Sequence, residues 1–274
     1  MTKTVSETQR IAALSDIRKA IEIAGEIGAL DVIEGADPDL EMGALYELSL
    51  QKPVPPVLLF RKIKGYPDDY RVVVNTRASK VFNAGIGMEL VKSFRKGNRK
   101  SSQPVDPVHV ETGPVFENIL RENEVDILKF PAPKWHAADG GSYIGTECMV
   151  IVKDPGSDWV NSGTYRVSIR DERTLSVFIE PGKHADVIRK KYWARGEKCP
   201  MVISVGQAPA LGAVSAQFFP EGVTEFAAAG GRIGRPIELV TGKVTGVPFP
   251  ADCELVYEGF MPSPDEVKIG RAHV

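Results

Sequence analysis

The chain has 274 residues, with 43% hydrophobic and 26% charged side chains and a formal charge of −2. That balance excludes a fibrous or disordered polymer, and the lack of a net basic field removes the electrostatic case for nucleic acid or anionic lipid as a partner. No apolar run approaches the ~20 residues needed to span a bilayer, and no basic start followed by an apolar segment opens the chain, so a soluble, cytoplasmic protein is expected. The length suits two domains with separate cores. Cys148, Cys199 and Cys253 are far apart without CxxC spacing, which favours reduced thiols over a disulfide or a cysteine metal site.

From Glu7 to Ile27 the apolar positions Ile11, Leu14, Ile17, Ile21 and Ala24 form one helical stripe closed by Gly28. DPDLEMGALYELSLQ, residues 37–51, predicts a second helix with Asp37 and Pro38 at its start. PVLLFRKI and YRVVVN are strand-like runs separated by the turn residues KGYPDD. The basic run KSFRKGNRK, residues 92–100, reads as a solvated loop. A Ser-, Pro- and Gly-rich stretch follows, placing a domain boundary near residue 110.

Beyond it the pattern changes. SYIGTECMVIVK, TYRVSIR and TLSVFIE are consecutive strand-like runs with short turns, which favours an antiparallel sheet or small barrel. In TYRVSIR, Tyr165, Val167 and Ile169 alternate with Thr164, Arg166 and Ser168, leaving a polar face for a ligand. KHADVIRKKYW predicts a helix with Lys183 and His184 in its first turn. VSAQFFPEG reads as a strand end and turn, followed by a helix from about Val223 with Glu225 in its first turn. The glycines of GGRIG follow a helix rather than a strand, which rejects a dinucleotide fingerprint, and no GxSxG, HExxH or P-loop occurs.

Taken singly, Asn161, Arg166, His184 and Glu225 have ordinary structural readings: turn chemistry, a surface ion pair, a helix-start histidine and a dipole-compensating carboxylate. Together, Asn161, His184 and Glu225 offer an oxygen, an imidazole and a carboxylate, a donor set for a hard or borderline divalent ion.

The segments KFPAPKWHAADGGSYIGTECMVIVKDP, WVNSGTYR and PEGVTEFAAAGG, followed by VPFPADCELVYEGF, resemble in order the UbiD family of decarboxylases, which includes ferulic acid decarboxylases. The most specific part is N-x-G-x-Y-R at 161–166 followed by Glu225. The resemblance implies an α+β fold: an N-terminal α/β domain (1–110), then a flavin-reductase-like antiparallel split β-barrel (111–267) that binds prenylated FMN and is incomplete at its C-terminus. It implies reversible decarboxylation of an aromatic or α,β-unsaturated acid. A Mn2+ or Mg2+ ion would be held by Asn161, His184 and Glu225. A K+ ion would be held partly by backbone carbonyls at Trp159 and around Ser215 and Gln217. Thr164, Tyr165 and Lys183 would line the cofactor, with Arg166 orienting the substrate carboxylate.

A flavin prenyltransferase as cofactor supplier and a homo-oligomeric enzyme are further implications. The family's acidic, proton-donating segment finds no counterpart before residue 274, and KIGRAHV (268–274) reads as a non-native tail, so the chain alone is expected to be inactive. The competing reading is a non-catalytic flavin-phosphate or metal-binding module, or a regulatory paralogue.

Overall fold

The computed structural model describes residues 6–76 and 103–266; the basic run 92–100 and the segment 268–274 lie outside them. The protein is α+β and forms two compact units. The first comprises residues 1–101, 123–144 and 168–175, the second 102–122, 145–167 and 176–274. Beside the single boundary expected near residue 110, the path is interleaved, each unit taking three stretches of chain.

In the first unit the stripe from Glu7 to Ile27 forms two helices, α1 (Glu7–Ser15) and α2 (Ile17–Glu26), rather than one. Asp16 between them is extended, and its carboxylate accepts the N–H groups of Arg18 and Lys19, so it ends one helix by capping the next. The chain then runs through β1 (Leu30–Glu34), α3 (Glu41–Leu50), β2 (Val57–Arg61) and β3 (Arg71–Val74). β2 is central, parallel to β1 and antiparallel to β3. Such a strand buries both faces. Val57 packs with Ala13, Ile23 and Ala24, whereas Leu58 and Phe60 pack with Met42 and Ile63.

α3 begins at Glu41, later than the expected start at Asp37 and Pro38. The intervening residues are otherwise engaged. Asp37 accepts the N–H of Asp39, and the N–H of Leu40 donates to the carbonyl of Lys134 at 3.0 Å.

The second unit contains a four-stranded antiparallel sheet built from β6 (Met149–Lys153), β7 (Val160–Thr164), β10 (Cys199–Val205) and β13 (Leu255–Met261), in the order β13–β10–β6–β7. A three-stranded sheet joins β4 (Val108–His109), β11 (Glu238–Thr241) and β12 (Pro248–Pro250). The helices of the second unit are α4 (His184–Trp193), α5 (Pro209–Ser215) and α6 (Glu225–Ile233). The strands β5 (Tyr143–Gly145), β8 (Arg166–Ile169) and β9 (Leu175–Phe178), which the unit boundaries divide, pair in the order β5–β8–β9.

Two runs read as single strands are broken, at residues 146–148 and at Tyr165. Cys148 sits at both breaks, its Sγ 3.4 Å from the carbonyl of Gly145 and 3.2 Å from that of Tyr165. In β8 Val167 is buried and Arg166 exposed, as the alternation predicts, while Tyr165 and Ile169 are half-buried. Val214 and Ser215 end a helix rather than a strand, because Pro209 opens a turn of small, wholly buried residues that continues to Ser215. All three cysteines are free and buried.

Gly43 on α3 permits a close approach that no other residue allows: a Cβ there would lie 1.9 Å from the carbonyl oxygen of Trp135. Helix propensity favours Gly43→Ala by ~1 kcal/mol, but backbone displaced from a packed site costs ~1–3 kcal/mol or more. Gly43→Ala is therefore expected to lower the urea midpoint. A variant as stable as wild type would show that this contact yields freely.

Candidate functional site

β7 is an edge strand of the four-stranded sheet, so one row of its backbone groups has no strand partner among the described residues. The start of α6 covers that row. Glu225, the first residue of α6, accepts the backbone N–H of Ser162 at 2.9 Å through Oε2 and the side-chain amide of Asn161 at 3.0 Å through Oε1. Both side chains are buried, Asn161 being 3% and Glu225 2% exposed. Two residues back on each segment, the indole N–H of Trp159 donates to the carbonyl of Val223 at 3.3 Å. Ser162 adds a hydroxyl contact to Ser215 at the end of α5, 3.0 Å between oxygens.

His184 is the first residue of α4 and half-buried. The helix start is held by Asp186, whose buried carboxylate accepts the N–H of Gly182 at 2.9 Å and pairs with Arg189 and Lys190, each at 2.7 Å. Burial alone would raise the Asp186 carboxyl; Lys190, the Gly182 N–H and Arg189 outweigh it and hold it at about 2. The His184 ring lies edge-on against Trp159, centroids 4.9 Å apart. Trp159 directly precedes β7, of which Asn161 is the second residue. His184 thus packs on the residue two before Asn161 in the chain, while Asn161 meets Glu225 directly.

The spacing N-x-G-x-Y-R has a packing reason at its glycine. The Tyr165 ring covers Gly163 so closely that a Cβ would lie 2.4 Å from Cε2. The Tyr165 phenol is pushed up to about 12 by burial, against the N–H of Ala185 in α4. Thr164 Oγ1 is buried and has no partner among the described residues. Arg166 is exposed at the start of β8. Lys183 is exposed too, its Nζ 3.5 Å from Glu180.

Trp159 already offers its carbonyl to the N–H of Asp154 at 2.9 Å. The side chain of Gln217 is committed within the protein, donating to the Ala213 carbonyl and accepting from Arg232, each at 2.8 Å. Sequence reasoning missed Ser162, whose backbone N–H shares the carboxylate; a serine in a strand carries no signal of that. It also missed Phe218, whose ring centroid lies 5.3 Å from that of His184.

What would fit here can be read from one atom: Asn161 Oδ1 is buried without a partner among the described residues, beside a buried carboxylate. An orphaned oxygen, a carboxylate and a neighbouring imidazole are the donors of a hard or borderline cation. Among the described residues no group of three or more His, Cys, Asp and Glu side chains is placed to hold a metal, and this trio, with its amide, is not of that composition.

Residues 107–271 match the family model described as the UbiD 3-octaprenyl-4-hydroxybenzoate carboxy-lyase Rift-related domain. The chain belongs to the UbiD family. It is 29% identical over 245 residues to a pyrrole-2-carboxylic acid decarboxylase of Pseudomonas aeruginosa, covering 84% of this chain and 49% of that protein. To ferulic acid decarboxylase 1 of Candida dubliniensis it is 28% identical, over 90% of this chain and 52% of that one. Among solved structures, an evolved dimeric form of the UbiD-class enzyme HmfF from Pelotomaculum thermopropionicum, in complex with prFMN, superposes with a TM-score of 0.79 at 28% identity, over 90% of this chain and 57% of its own. This UbiD-family chain spans about half the length of the curated relatives it matches.

Burial raises the Glu225 carboxyl from its ordinary 4.5 to about 7, although the N–H groups of Ser162 and of Glu225 itself and the amide of Asn161 pull it down. A folded state that holds a proton more tightly than the unfolded chain loses stability as pH rises between those two values. With divalent ions chelated, the melting temperature of wild type relative to Glu225→Gln is therefore expected to fall between pH 5 and pH 8. The glutamine can keep the Ser162 bond, and a rotated Asn161 amide can accept its NH2. Parallel curves for the two proteins would contradict the burial argument.

Proposed function

We propose that this chain carries the cofactor-binding part of a carboxy-lyase that uses prenylated FMN to remove carbon dioxide, reversibly, from an aromatic or α,β-unsaturated acid. The observation that carries the reading is the buried Asn161–Glu225 pair with Asn161 Oδ1 left over, in a family with a prFMN-bound relative. The second unit is then the split-barrel cofactor domain, broadly residues 111–267, and the first unit the α/β domain. Asn161, His184 and Glu225 would hold Mn2+ or Mg2+ at the flavin phosphate. The cation offsets the repulsion between a phosphate and a buried carboxylate. K+ would take backbone carbonyls at Trp159 and around Ser215 and Gln217.

When bound, the flavin supplies the electron sink that losing carbon dioxide from an sp² carbon requires. The chain's own part is positional. Arg166 is exposed, and its guanidinium can grip a substrate carboxylate through two parallel hydrogen bonds, aligning the bond to be broken. Tyr165 is locked over Gly163, and Thr164 has an oxygen free for a polar group, so both suit the cofactor wall. Lys183 adds a positive charge at the start of α4.

No described helix is long and apolar enough to cross a membrane. In this reading the enzyme works in the cytoplasm as a homo-oligomer, on a small acid, with cofactor made by a flavin prenyltransferase.

Titrating FMN, as a surrogate for the prenylated flavin, into apo protein with and without Mn2+ tests the core of this reading. Mn2+ is expected to tighten FMN binding and raise the melting temperature. Glu225→Gln and His184→Ala are each expected to lose metal affinity by roughly 10- to 100-fold or more. Equal FMN affinity with and without Mn2+ would refute the bridge.

A further inference from the structure

Histidines that ligate metals usually have the other ring nitrogen hydrogen-bonded to a carboxylate or carbonyl, which fixes the ring. Among the described residues neither ring nitrogen of His184 has such a partner. Its contacts are aromatic instead: Trp159 at 4.9 Å with planes at 77°, and Phe218 at 5.3 Å with planes at 39°. The two rings thus meet the imidazole at different tilts. Trp159 is itself anchored through its indole N–H to Val223.

Phe218 is 81% exposed, so core packing does not account for it. It lies on the segment between α5 and α6, directly after a residue that is tied down. The Gln217 backbone N–H donates to the Val214 carbonyl, its side-chain Nε2 donates to the Ala213 carbonyl, and its side-chain Oε1 accepts from Arg232, all at 2.8 Å. Arg232 is in the last turn of α6, the helix that begins with Glu225. The brace that sets Phe218 therefore starts from the element that supplies the carboxylate.

We infer that Phe218 is a positioning residue for His184, closing with Trp159 an aromatic clamp that presents the imidazole to the cation; this rests on the cation site proposed above. The clamp does by ring contact what a hydrogen-bonded carboxylate does in other sites.

Two measurements test it. Imidazole proton resonances can be recorded in metal-free protein; the chain has four histidines, and His184→Ala identifies the signals of His184. Phe218→Ala is expected to shift the His184 signals by removing a ring current, while Phe218→Tyr leaves them near wild type. Unmoved signals in Phe218→Ala would overturn the clamp, whatever the metal does. Mn2+ affinity, read from the electron paramagnetic resonance of free Mn2+, is expected to weaken roughly 10-fold in Phe218→Ala and to be restored in Phe218→Tyr. Wild-type affinity in Phe218→Ala would overturn the positioning role. A wild-type protein that binds no Mn2+ would instead refute the cation site, and the resonance measurement would still decide the clamp.

Discussion

A carboxylate taken out of water costs several kcal/mol unless its lone pairs are met, and the second unit is organised around one that is. Glu225 spends its two oxygens on consecutive residues of a single strand, Asn161 through its side chain and Ser162 through its backbone. That pairing joins positions 64 apart in sequence and turns the exposed edge of β7 into the wall of a site. The covering is done by a helix start, so the edge is closed to strand-by-strand association. Trp159, Ser162 and Ser215 then follow from the same alignment, since each binds a segment that Glu225 has already drawn in.

The arrangement gives the site an uneven mechanical character. Asn161 and Glu225 are buried and mutually bonded, a rigid pair. His184 is half-buried at the first residue of a helix, held by Asp186 from within that helix and by ring contacts from outside. In the proposed reading a cation would meet two donors already set and a third whose orientation the neighbours must maintain. Metal affinity in such sites depends on the outer contacts nearly as much as on the ligands.

Much of this was legible in the sequence, for identifiable reasons. Helix starts at His184 and near Glu225 follow from turn residues directly before apolar-periodic segments, and both helices begin there. The strands around Val57 and Val72 announce themselves by composition. Each site residue taken alone was ambiguous, and only their order, shared with a family, brought them together.

What failed to show depended on distant partners or on ambiguous runs. The start of α3 is delayed by a bond to Lys134, far along the chain. The small-residue run before Ser215 has no period to separate strand from helix. Phe218 looks like any loop phenylalanine until the His184 ring is seen beside it.

The interleaved path has a bearing on how the protein comes to exist at all. The first unit draws its last stretch from residues 168–175, and the second begins as early as residue 102. A ribosome delivering the chain from its N-terminus therefore cannot finish one unit before the other is under way. Stretches of the second unit, β6 and β7 among them, emerge while the first still waits for its final piece. Contacts of such sequence separation carry the loop-closure cost that slows folding, and unpaired strand edges stay exposed meanwhile. The two units are thus tied together by the path of the chain, and no single cut in the sequence separates one unit from the other.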